Sequence, residues 1–215
     1  MEQQKLILNY GFFSAIGAGI MTFLFALFMF YELFYGSAKM LDYVVSILIS
    51  FFFVIMVVAL KYTLSKANKF VLSLAVASSI IYCILASIVY YVQISVVRLA
   101  NLSVEQLTIV AQSPPGTAFF AIDLLAYFFL CVATFFIAIA MDKKEKVLRA
   151  LLFIHSAMAI PTFILPLMPF IYEKTNEVTS IDGGLIALIG WSALFLPICI
   201  LMARYFIRKR KKLSL

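Results

Sequence analysis

The 215-residue chain is 65% hydrophobic and only 13% charged, with a mean hydropathy of +1.10. That leaves too little polar surface to solvate a globular domain, so the composition makes a bilayer the solvent. The formal net charge of +7 needs no nucleic-acid partner, because the Lys and Arg residues lie between apolar stretches, where they set topology and meet lipid headgroups.

An α-helix needs about 20 mostly apolar residues to cross the hydrocarbon layer. Six stretches qualify: 10–31, 43–60, 70–94, 117–140, 148–172 and 183–206. Ser50 to Leu60 and Phe128 to Met141 run almost unbroken, and the ten-residue alternation of a membrane β-barrel is absent. In hydrocarbon each backbone N–H and C=O must be paired within its own segment, which leaves helices as the remaining choice. The sequence therefore predicts an all-α, polytopic transmembrane helical bundle of six spans, a single domain over 1–215 with no linker.

With a cytoplasmic N-terminus, 14 of the 17 Lys and Arg residues fall on the cytoplasmic side, against Lys39, Arg98 and Lys174 outside. That asymmetry predicts an N-in/C-in protein. Span one is too long for a signal-peptide core and no small-residue cleavage site follows it, so it reads as an uncleaved signal anchor. Gly11, Ala15 and Gly19 on span one, and Ala75, Ser79, Cys83 and Ser87 on span three, recur at four-residue spacing as faces for close helix contact. Neither Ser79 nor Ser87 has a His or Asp partner at a spacing that suggests catalysis.

Between spans three and four, Ser103 precedes Gln106 by three residues in a capping-box pattern, and Ser113-Pro114-Pro115-Gly116 then breaks the chain. A short helix over about 103–112 is expected at the outer surface, lying on the interface or covering the mouth of a cavity. Asn101-Leu102-Ser103 fits the glycosylation triplet, which matters only in a secretory-pathway host. Pro161, Pro166 and Pro169 in span five and Pro197 in span six should bend their helices, and in transporters broken helices line the substrate site. His155, the only histidine, lies about 12 Å into span five. With no Cys, Asp or Glu at helical spacing it has no metal site to join, and it reads as a hydrogen-bonding residue or a proton relay. Cys83, Cys131 and Cys199 all fall within spans, which gives no disulfide framework and no CxxC pair.

The polar constellation lies near the outer ends of spans three and four. Extending the face of Cys83 and Ser87 leads to Tyr91 and then Arg98, while Asp123, Tyr127 and Cys131 follow one another on span four. A carboxylate inside a span costs a few kcal/mol unless paired or wetted. Asp123 should therefore face the bundle interior, with Arg98 as its expected ion-pair partner; the alternatives are a substrate or proton site at Asp123, or a snorkelling Arg98. The segment from Gln93 to Met141, with QISVVRLA and FFAIDLLAYFFL, resembles an uncharacterised family of bacterial multi-pass, six-span integral membrane proteins. The resemblance implies a bacterial plasma membrane and brings no established activity or catalytic residue.

No HExxH, GxSG or Walker loop occurs, so no recognised reaction motif is present, no catalytic residue is assigned, and no cofactor or metal is expected. The leading expectation is a small-molecule binding or transport protein with a cavity among spans three to six, its binding residues drawn from Tyr82, Tyr91, Arg98, Asp123, Tyr127 and His155. The alternative is a non-catalytic accessory or sensor subunit acting through helix contacts. Expected partners are the bilayer itself, anionic headgroups at the basic loops and C-terminal tail, and a second copy or another membrane protein.

Overall fold

The computed structural model describes residues 2–35, 39–64, 68–112, 117–168 and 183–213, and the following concerns those residues. They are helical, with no strand among them. Helix α1 spans Glu2–Tyr35, α2 Lys39–Thr63, α3 Lys69–Val92, α4 Val104–Val110, α5 Ala118–Ala140, α6 Lys146–Ala157, α7 Ala159–Ile164 and α8 Gly183–Lys212. Six helical segments are long and apolar enough to cross a membrane: Glu2–Tyr35, Met40–Thr63, Lys69–Val97, Ala118–Ala140, Lys146–Leu167 and Ile186–Lys212. The chain is an all-α bundle with the build of a multi-pass membrane protein.

The spans close into a ring in chain order. α1 packs on α2, α2 on α3, α3 on α5, α5 on α6 and α7, and α8 returns to α1, while α6 and α8 meet along the sparsest seam. Lipid offers no hydrophobic incentive for helices to associate, so close contact has to come from small residues that let backbones approach. Gly11 and Gly19 do this for α1: a Cβ at Gly11 would stand 2.4 to 2.6 Å from three Phe206 ring atoms of α8, and one at Gly19 would stand 3.4 Å from Cys199 Cβ. The small row on α3 is likewise used inside the bundle, with Ser50 of α2 donating to Cys83 Sγ at 3.4 Å. Cys83, Cys131 and Cys199 are free and buried.

Two departures from regular helix shape the bundle. The fifth span breaks at Met158, three residues before Pro161, whose missing N–H and ring disfavour continuation of α6 through the Ala157 carbonyl. Pro166 then sits in a 3₁₀ turn over Leu165–Leu167, and Pro169 lies outside the described residues. α8, by contrast, continues through Pro197. At the other departure α3 runs into a π-helical turn, Gln93–Val97, in which the Arg98 N–H reaches back to the Gln93 carbonyl at 3.1 Å.

Candidate functional site

The interior of the bundle holds two polar centres along α5. The first lies at the end away from the termini. Asp123, on the first turns of α5, is 6% exposed, and its Oδ2 accepts a 2.6 Å hydrogen bond from Gln112 Nε2. Gln112 belongs to the segment that follows α4, and a side-chain bracket fastens that segment down. Gln93 Nε2 donates to the Val110 carbonyl at 2.8 Å, and Gln93 Oε1 accepts from the Gln112 N–H at 3.0 Å. Thr117, which caps α5 by accepting from the Phe120 N–H, also donates to the Ala111 carbonyl. α4 carries its own capping box, Ser103 with Gln106, and buries none of its residues. It is tied to the bundle by polar bonds at its C-terminal end, and the residue just beyond that end, Gln112, is the one that reaches the carboxylate.

Around Asp123 stands a tyrosine cluster. The Tyr90 and Tyr127 hydroxyls are 3.2 Å apart, Tyr43 stacks on Tyr90 with ring centroids 5.6 Å apart, and Tyr82 leans on Tyr127 at 6.3 Å. Tyr82, Tyr90 and Tyr127 are all buried. The Oδ1 atom of Asp123 is buried as well and has no donor in regular hydrogen-bonding geometry among the described residues, although the Tyr90 side chain also bears on the carboxylate as a donor.

The second centre lies deeper. Tyr127 meets Trp191 of α8 edge-on at 5.4 Å, and Trp191 Nε1–H donates to His155 Nε2 at 3.0 Å. An indole N–H can only donate, so Nε2 is an acceptor and the imidazole proton sits on Nδ1. From there it points at Thr134 Oγ1, 2.9 Å away, and the Thr134 hydroxyl passes its own proton to the Cys131 carbonyl at 2.9 Å. Trp191, His155, Thr134 and Cys131 thus form one directional chain joining α8, α6 and α5, with every side-chain N–H and O–H donor in it used.

Of the six residues expected at the site, the structure gathers Tyr82, Asp123 and Tyr127 and sets His155 one layer away. Arg98 and Tyr91 are elsewhere. Arg98 is exposed and directs Nη1 at Met40 Sδ, and Tyr91 is 65% exposed, so the expected Arg98–Asp123 ion pair is absent. The reason is rotational. A four-residue step on a helix advances about 400°, so each step drifts about 40° off the face, and four steps from Ala75 carry Tyr91 about 160° around. The buried face of α3 instead alternates steps of three and four through Leu72, Ala75, Ser79, Tyr82, Ala86 and Val89 to Gln93. The π turn then inserts an extra residue before Arg98. Sequence reasoning missed Tyr43, Tyr90, Gln93, Gln112, Thr134 and Trp191; Gln93, a neutral polar residue within a span, and the lone tryptophan were the signals available.

Among the described residues no group of three His, Cys, Asp or Glu comes together that could hold a metal ion. Compared with known family models, curated proteins and solved structures, the chain shows no significant match.

Proposed function

We propose that this integral membrane protein binds, and in a transport cycle would pass on, a small organic cation that carries an amine or ammonium group, received at Asp123. One observation carries the reading: the buried Asp123 Oδ1 without a donor in regular hydrogen-bonding geometry. A carboxylate at such a position is costly and is characteristically kept for function. The surrounding rings of Tyr43, Tyr82, Tyr90 and Tyr127 suit the same ligand, because a cation close to an aromatic face is attracted to it. Gln112 already offers an N–H to Oδ2, so entry of an ammonium group would exchange one donor for another while the α4 segment lifts. The basic loops and the resemblance support a bacterial plasma membrane with both termini cytoplasmic, which makes Asp123 an outward-side site.

Melting of the full-length protein in one detergent tests this with methylammonium, tetramethylammonium and sodium at matched ionic strength. An alkylammonium ion should raise the melting temperature of the wild type and leave that of Asp123→Asn unchanged. Equal shifts in both proteins, or a response to sodium alone, would remove the amine reading.

A second reading, an accessory subunit working through helix contacts, draws on the fifth span. Only 11% of its most apolar window is buried, against 39 to 50% in the other five, which leaves much of its surface for lipid or another protein. A single stoichiometric membrane-protein companion, retained through mild purification and lost on Ile160→Trp at an exposed position of the span, would favour it.

A further inference from the structure

At the end carrying the termini, the sparse seam between α6 and α8 widens into an open groove of about 460 Å³. Its walls differ in character. Lys144, Lys146, Arg204 and Arg208 supply its cations, and Val147, Leu148, Leu201 and Ile207 its apolar lining. Leu201, Arg204 and Arg208 fall at three- and four-residue steps and so share one face of α8. Glu145 also lines the groove, but it is bound to Arg208 at 2.6 Å. Lys144, Lys146 and Arg204 make no ion pair with a described residue, which leaves the groove cationic.

The groove also contains the start of a helix. α6 is 12 residues long, and its N-cap, Glu145, makes no side-chain cap hydrogen bond, so no side chain satisfies the first N–H groups of α6. Such an end attracts anions through its free donors and the helix dipole. Unpaired cations, uncapped N–H groups and an apolar lining within one concavity match the parts of a phospholipid: a phosphate and acyl chains.

We propose that this groove is a binding site for the phosphodiester headgroup of an anionic phospholipid, with the phosphate held by the α6 N-terminus, Lys144, Lys146 and Arg204, and the chains running along the α6–α8 seam. It is separate from the Asp123 centre, at the opposite end of the bundle. It differs too from diffuse attraction to the basic tail, because it depends on residues that share one concavity.

Native mass spectrometry of the full-length protein in detergent, titrated with phosphatidylglycerol, phosphatidylcholine or inorganic phosphate, tests the proposal. Phosphatidylglycerol should be retained in preference to phosphatidylcholine, and Lys146→Gln with Arg204→Gln should weaken its retention about thirtyfold, as the loss of two near-surface charges predicts. Lys61→Gln with Lys212→Gln removes equal charge outside the groove and should leave retention unchanged. Lys144→Gln, in the exposed loop, provides an independent variant should the groove pair fold poorly. Equal losses in both pairs would reduce the effect to general surface charge, absence of a phosphatidylglycerol preference would overturn the site, and equal occupancy by inorganic phosphate would make it a free-anion site.

Discussion

The two polar centres on α5 stand about three turns apart and differ in one respect: the His155 centre is saturated and the Asp123 centre is not. At His155 an indole, an imidazole, a hydroxyl and a carbonyl are joined head to tail, and the ring is fully buried. A chain with every donor used holds three helices in register and has none to offer a ligand. At Asp123 one oxygen is held by a residue from a surface segment, and the other has no donor in regular geometry, only the Tyr90 side chain near the carboxylate. At 6% exposure, that leaves a group short of donors. The geometry supplies both ring nitrogens of His155 with partners, as the plainer sequence reading of a hydrogen-bonding residue expects.

The largest effect should come from breaking the saturated centre. His155→Ala removes a buried ring that packs on Phe195 with centroids 5.3 Å apart and strands the Trp191 N–H. Loss of the ring and of the acceptor together should cost about 3 to 5 kcal/mol in detergent unfolding. A loss under about 1 kcal/mol would mean that the chain of bonds is not a joint. The unsaturated centre should respond with the opposite sign. Asp123→Asn keeps the shape, still accepts from Gln112 and takes a charge out of the apolar interior, so stability should rise by about 1 to 3 kcal/mol while the response to alkylammonium ions disappears. If Asp123→Asn destabilises as His155→Ala does, the two centres are alike and the comparison collapses.

A finer test separates hydrogen bonding from packing within the saturated centre. Trp191→Phe retains an aromatic ring against Phe195 but removes the donor to His155 together with part of the buried ring volume. Interhelical hydrogen bonds in membrane proteins are worth about 1 kcal/mol, so about that much of the loss should vanish in a His155→Phe background, the packing part remaining. A full loss persisting in that background would assign the effect to ring shape instead.

The sequence made the spans legible because hydrocarbon demands long apolar helices, and a 34-residue α1 announces itself by length alone. Its helix faces were less legible. Asp123 and Tyr127 lie one step apart, too short for the 40° drift to matter, and both are found inside. From Cys83 to Arg98 the drift accumulates and a π turn intervenes, so that extrapolation failed. Gln112 was out of reach for another reason: it arrives at Asp123 by way of a surface segment whose path no periodicity encodes. Thr134 and Trp191 are paired through His155 across sequence separations of 21 and 36, which local pattern cannot anticipate.

The smallest expected effect concerns the residue that charge logic chose as the partner of Asp123. Arg98 stands on the exposed side of the π turn, and Met40, not a carboxylate, receives its guanidinium. Arg98→Gln gives up a weak sulfur contact and a solvated charge, a change that typically stays within about 0.5 kcal/mol. Were the pair present, either single substitution would strand a charge at a cost of about 3 to 5 kcal/mol, and the double substitution would recover most of it. The observed geometry predicts additivity instead: Asp123→Asn alone and Asp123→Asn with Arg98→Gln should melt within experimental error of each other, at any salt concentration. A coupling above about 1 kcal/mol that shrinks in high salt would restore the ion pair, close the open oxygen of Asp123, and leave the carboxylate as saturated as the histidine three turns away.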